Sequence, residues 1–190
     1  MNGFFADAGI LIVNTVFGLY IFSVLLRFLF QLVRADFYNP FSQFLVRFTN
    51  PPLLPLRRVV PGFGGIDLAS IVLLLILETL RLYLVAKLQG VSPAFVPLFV
   101  LALFELLETT LWIFIIAVFV RVLASWFSPH SDNPLMDLLV SLTEPLLRPA
   151  RRLIPPISGL DLSPIAVLLL LQIGLLLVGY LQRGLFQGLT

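Results

Sequence analysis

Hydrophobic residues run through this chain in long stretches, and not at the alternate or third-and-fourth positions of a half-buried element. Residues 8–26 and 162–171 are apolar on nearly every side, and a span across a hydrocarbon core takes about 20 such residues. Four membrane-spanning helices are therefore expected, over about 8–32, 67–86, 98–124 and 161–182. The middle two carry Glu78, Arg81, Glu105 and Glu108, each costing roughly 2.5–3.5 kcal/mol on insertion if it sits centrally. They are still read as spans, because dropping either breaks an internal repeat. The first is read as a span and not as a cleaved signal: residues 1–8 hold no basic residue, and the apolar run exceeds a signal's core.

The repeat is explicit. RRVVPGFGGIDL at 57–68 returns as RRLIPPISGLDL at 151–162. At that fixed offset of 94 positions (57 to 151), Arg27 pairs with Arg121, Asn39-Pro40 with Asn133-Pro134, Thr49 with Thr143, Pro51 with Pro145, Pro55 with Pro149, and Asp67-Leu68 with Asp161-Leu162. Each copy is helix, elbow, helix. The fold expected is all-α, a polytopic membrane protein in two repeats, residues 1–90 and 91–190, with elbows over about 36–62 and 130–156.

Within each elbow, Asn39 and Asn133 are placed to cap a helix whose first residue is proline. Phe41, Phe44, Leu45 and Phe48 then fall at i, i+3, i+4 and i+7, matched by Leu135, Leu138, Leu139 and Leu142, while Ser42, Gln43, Arg47, Asp137 and Ser141 are expected on the other side. Such a helix either lies in the headgroup plane with its apolar face in the acyl boundary or packs on neighbouring protein. The prolines that follow argue against one continuous helix, since each removes a donor and crowds the preceding turn. Asp67 and Asp161 stand where a carboxylate can cap the second span of each repeat.

Composition changes the picture mainly by exclusion. Hydrophobic residues make up 59% of the chain and charged ones 12%, which settles the membrane class. With no cysteine and one histidine, disulfides, thiolate sites, bis-histidine haem and ordinary zinc sites drop out; no cofactor or metal is expected. SPHSDNP (128–134) holds a serine, a histidine and an aspartate too close in sequence to form a relay, and PGFGG (61–65) lacks the lysine and hydroxyl of a phosphate loop. The first reads as a solvated loop, the second as a turn, and no enzyme is expected.

Basic residues orient the spans. The elbows hold Arg34, Arg47, Arg57 and Arg58, and Arg148, Arg151 and Arg152, against Lys87 alone in the connection between repeats, so both elbows are expected in the cytoplasm and both termini outside. Arg57, Arg58, Arg151 and Arg152 serve either as plain topology signals or as contacts to anionic headgroups. Asn14, Glu78, Arg81, Glu105, Glu108 and Gln172 fall at comparable depths in the spans. They form either polar glue, with Arg81 pairing to Glu78 or Glu108, or an ion-sensitive site of net negative charge.

Two copies of an NP, amphipathic helix, RR, P, G, DL unit resemble the YggT family, also called the YlmG family, of bacterial and plastid integral membrane proteins. RVLASWF (121–127) is also similar to the end of the family's first helix, whereas the first copy reads RFLFQLV (27–33). The resemblance implies a multi-pass inner-membrane protein without catalytic residues, supporting osmotic tolerance and potassium homeostasis; the alternative is a scaffold or assembly factor that presents its elbows to lipid or to partner proteins in division, nucleoid or cytochrome-complex organisation. Expected partners are membrane lipids, a membrane protein not identifiable from sequence, and other copies of the chain in a homo-oligomer, with no direct nucleic-acid contact.

Overall fold

The computed structural model describes residues 3–127, 133–154 and 161–187. The SPHSDNP serine, histidine and aspartate, and the second elbow's return at 155–160, lie outside those residues. The helices run α1 (Phe4–Leu32), α2 (Pro40–Val59), α3 (Leu68–Leu88), α4 (Phe95–Phe127), α5 (Pro134–Leu153) and α6 (Ser163–Gln187). Four of them, α1, α3, α4 and α6, are long and apolar enough to cross a membrane, at the expected places; α2 and α5 are the elbow helices. Between 11% and 28% of each span's apolar window is buried, so most of its hydrophobic surface faces outward. Only a hydrocarbon solvent makes that surface free of cost.

The helices gather into two compact units, Met1–Phe28 with Leu45–Leu107 and Leu29–Phe44 with Glu108–Thr190. Within the first, Val24 and Leu25 of α1, Leu45 and Leu53 of α2, Leu73 and Leu74 of α3 and Ala102 of α4 are buried. Within the second, Val118 of α4, Leu147 of α5 and Val167 of α6 form a closed cluster, with Leu146, Ala150, Leu168 and Leu171 packed around it.

Each elbow helix is continuous through its prolines, Pro51, Pro52 and Pro55 in α2 and Pro145 and Pro149 in α5. The expectation of a broken elbow is corrected by where those prolines fall. Pro51 and Pro55, like Pro145 and Pro149, are four residues apart and exposed, so each pair lies along the outward face. The carbonyls they leave without an intrahelical donor, those of Arg47 and Pro51 and of Ser141 and Pro145, lie on the same side, where water or headgroups can reach them. The opposite face holds the helix down: Thr49 and Leu53, and Leu142, Thr143 and Leu147, are almost fully buried.

That face also corrects the expected stripe in α2. Its buried line is Ser42, Leu45, Thr49 and Leu53, while Phe44 and Phe48 are exposed. In α5 the corresponding Leu138 and Leu142 are buried. The two repeats thus differ at the second and fourth positions of the stripe, buried in the second and exposed in the first.

Tight turns carry the chain back. In PGFGG, Gly64 and Gly65 take φ of 61° and 84°, and Phe63 and Ile66 exchange both backbone hydrogen bonds across them. Two successive left-handed residues are what such a two-residue reversal requires.

Truncation separates the two faces of the elbow helices. Leu53→Ala and Leu147→Ala should each lower thermal stability in detergent by about 2–5 kcal/mol, whereas Pro55→Ala and Pro149→Ala should not lower it, because alanine restores a donor on an exposed face. Destabilisation by the proline changes would show that the bends themselves are required.

Candidate functional site

Each elbow helix is tied at its middle to the preceding span. Arg27 of α1 donates from Nη1 to Thr49 Oγ1 at 2.6 Å and to the Val46 carbonyl at 3.3 Å. Arg121 of α4 donates from Nη1 to Thr143 Oγ1 at 2.7 Å and from Nη2 to Glu144 Oε2 at 2.9 Å. Each threonine hydroxyl passes its own proton to the carbonyl one turn back, Leu45 at 2.7 Å and Leu139 at 2.6 Å. A hydroxyl is suited to this position because it accepts from the guanidinium and donates to the helix at once.

Each elbow helix is tied at its end to the following span. Arg57 Nη2 meets Asp67 Oδ2 at 2.5 Å, and Arg151 Nε meets Asp161 Oδ2 at 2.8 Å. Asp67 caps α3 through the Ser70 amide and also accepts from the Ser70 hydroxyl; Asp161 accepts from the Ser163 amide at 2.9 Å. Burial alone would raise the Asp67 carboxyl, but the hydrogen bond from Arg57, those from Ser70 and the Arg57 charge outweigh it and hold the group below its ordinary value. Asp161 is lowered in the same way against its own burial, by Ser163 and Arg151. Glu144, bridging Arg121 and Arg151, is also lowered: both arginines outweigh its desolvation.

A second polar group lies inside the spans of the first unit. Arg81 Nε lies 3.1 Å from both carboxylate oxygens of Glu78, one turn back on α3, and Arg81 Nη2 also pairs with Glu78. Arg81 Nη1 donates to Asn14 Oδ1 of α1 at 2.8 Å, and Nη2 stands 3.6 Å from Glu105 Oε2 of α4. Glu78 is buried and Arg81 nearly so, whereas the Glu105 side chain is 35% exposed. One guanidinium thus joins three helices, with one negative charge in excess if both carboxylates are ionised. Among the described residues no group of three metal-ligating side chains occurs.

A model of the CCB3/YggT family matches the chain twice, over residues 6–88 and 100–182. The chain belongs to the CCB3/YggT family. The two matched stretches are displaced by the same 94 positions as the motif (6 to 100), so the helix–elbow–helix repeat is the family's own unit. The uncharacterized protein PA0392 of Pseudomonas aeruginosa is 46% identical over 168 residues, which cover 87% of this chain and 85% of that protein. The uncharacterized protein in the proC 3' region of Vibrio alginolyticus is 40% identical over 171 residues, 88% of this chain and 91% of that one. The uncharacterized protein YggT of Escherichia coli K12 is 39% identical over 162 residues, 85% of this chain and 84% of that one. No solved structure matches.

For this YggT-family chain the structure sorts the residues singled out by sequence. Asn39, Asp67, Asn133 and Asp161 all accept from a backbone amide at a helix start, and Asn39 also donates to the Pro134 carbonyl at 2.6 Å. Of the two adjacent arginine pairs in the elbows, Arg57 and Arg151 turn inward to the capping aspartates, while Arg58 and Arg152 are exposed. Asn14, Glu78, Arg81 and Glu105 come together, and the partner of Arg81 is Glu78. Glu108 and Gln172 belong to the second unit, Glu108 half-buried and Gln172 exposed. Sequence reasoning assigned no role to Arg27, Thr49, Arg121, Thr143 and Glu144; the signal was present, since the Arg and Thr pairs recur at the repeat offset.

Two outcomes test these contacts. Because Asp67, Asp161 and Glu144 are depressed in the folded state, their contribution is complete above the ordinary carboxylate pKa of about 4 and is lost as pH falls through the lower folded values. Thermal stability in detergent should hold between about pH 7 and 5 and drop below about pH 4, and the drop should shrink in an Asp67→Asn, Asp161→Asn double variant. The second outcome concerns Glu78. Glu78→Gln leaves a largely buried guanidinium with only Asn14 and the more distant Glu105, so stability should fall by up to about 3–5 kcal/mol, and adding Arg81→Leu should recover it. Repeat two already has that pair, Gln172 and Leu175, at the same two positions. No recovery would mean that the cluster does more than join helices.

Proposed function

We propose that this protein is an inner-membrane scaffold that fixes two short helices, α2 and α5, at the cytoplasmic surface for anionic headgroups or a membrane-protein partner. The observation that carries this reading is that the same two ties, arginine to threonine at mid-helix and arginine to capping aspartate at the end, recur in both repeats. Both ends of the work are then divided within one arginine pair: the first member holds the fold and the second, Arg58 or Arg152, is presented outward. Exposed basic residues near a cytoplasmic leaflet attract anionic lipid by about 1 kcal/mol each, and exposed Phe44 and Phe48, on the same helix as Arg58, suit the acyl boundary. The arginine excess of the elbows favours their cytoplasmic placement, with both termini outside.

A second reading, support of osmotic tolerance and potassium homeostasis, is favoured by one observation, the intramembrane carboxylate excess around Arg81, where Glu105 stays partly open. Ionisable groups at that depth are functional candidates by default.

One complementation experiment decides between them. In a strain lacking its own copy, the Arg58→Glu, Arg152→Glu variant should accumulate normally yet fail to restore growth under osmotic stress, while Glu78→Gln, Arg81→Leu should restore it. The reverse pattern would favour the ion reading. Single cysteines at Gln43 and Asp137 should react only with a membrane-permeant maleimide, and one at Gln89 with an impermeant reagent added outside; elbows labelled on opposite sides would end the scaffold reading.

A further inference from the structure

The last span leaves a seam open. Ile165, Leu169, Gln172, Leu176 and Gly179 of α6 follow one another at intervals of four, three, four and three residues, the 3.5-residue spacing that keeps one stripe facing a partner helix along its length. Ile165, Leu169 and Leu176 are each more than 60% exposed and Gln172 is exposed between them. Of the four spans, α6 is the least covered, with 11% of its apolar window buried against 22% or more in the others.

Exposed leucines on a span need no explanation other than lipid. Gln172 does. It stands nine residues into α6, about 14 Å from its start, which places its amide near the middle of a hydrocarbon core about 30 Å thick. There water cannot serve it, and an amide transferred to hydrocarbon without hydrogen bonds carries a large penalty. Among the described residues nothing bonds to it. The equivalent face of α3 in the first repeat shows what this position takes when it is covered: Ile71, Leu75 and Leu82 are half-buried, and Glu78, in Gln172's place, is buried against Arg81.

We propose that α6 is a self-association surface, packing along this seam against α6 of a second copy of the chain, with the two Gln172 amides hydrogen-bonded to each other across the two-fold axis. An amide carries donor and acceptor together, so it is complementary to itself, as a carboxylate or a guanidinium is not. A contact of this kind is isologous and closes at two copies. Membrane helices commonly cross in the left-handed geometry that a 3.5-residue seam specifies, and side-chain amides bond between them. A polar residue at one seam position also fixes register, which apolar contacts alone leave free to slide.

Because the chain contains no cysteine, the test is clean. Leu169→Cys and Leu176→Cys, each introduced alone and oxidised in native membranes, should link two chains into a product of twice the monomer mass. Leu170→Cys, equally exposed but on another face of α6, should not. Adding Gln172→Leu should weaken linking roughly three- to tenfold, and Gln172→Asn, which keeps an amide, should largely retain it. No double-mass product, a product of another mass, equal linking from residue 170, or linking indifferent to Gln172→Leu would each overturn the proposal.

Discussion

A guanidinium that leaves water must be met by acceptors, and that requirement organises both elbows of this chain. Arg27 and Arg121 project from the ends of two spans toward the elbow helices and are satisfied by a threonine hydroxyl on each. Arg57 and Arg151 close the other end on the aspartates that start the next spans. Removing one partner from such a pair leaves a desolvated charge or a bare helix terminus, so the loss exceeds the value of the contact itself. These ties add to the buried face of each elbow helix, whose prolines interrupt the hydrogen-bond ladder on the open side.

Much of this was legible in the sequence, and the reason is physical. A lipid-exposed span must be apolar all round, so residues 8–26 announce themselves by composition alone. The capping roles of Asn39, Asp67, Asn133 and Asp161 follow from chemistry within three residues of each, which sequence displays directly. The continuous elbow helices were hidden because the cost of a proline depends on which way its freed carbonyl faces, and that is a tertiary property. The same holds for Ser42. Helical spacing predicts that Phe41, Phe44 and Leu45 share an arc, but which edge of the arc meets protein depends on where Arg27 anchors Thr49, twenty-two residues away. The Arg81 contacts lay between these cases: depth counting brought the right residues to one level, and only the geometry chose Glu78 as the partner.

The two repeats start from one plan and differ in where they keep their charge. Repeat one holds Glu78 and Arg81 inside a span, where repeat two has Gln172 and Leu175. Repeat two instead holds Glu144 in its elbow, at the position of Asn50 in repeat one, and that carboxylate links Arg121 to Arg151 and so, through Arg151, to Asp161. The second elbow is thus a continuous chain of charge-assisted bonds from one span to the next. In the first, Arg27 is met by a hydroxyl and a backbone carbonyl, and Arg57 by Asp67, with no carboxylate between them.

Hydrogen bonds with an ionised partner are roughly twice as strong as neutral ones, and the carboxylate at this single aligned position adds such bonds from Arg121 and Arg151 in the second elbow. The second elbow also buries Leu138 and Leu142. The first has Phe44 and Phe48 exposed and an asparagine in place of the bridging carboxylate, and its repeat holds its ion pair deeper, where Arg81 joins α1, α3 and α4. The two repeats thus share their ties and differ at Asn50 against Glu144 in the elbows and at Glu78 and Arg81 against Gln172 and Leu175 in the spans, so one copy keeps its extra charge in a span and the other in its elbow.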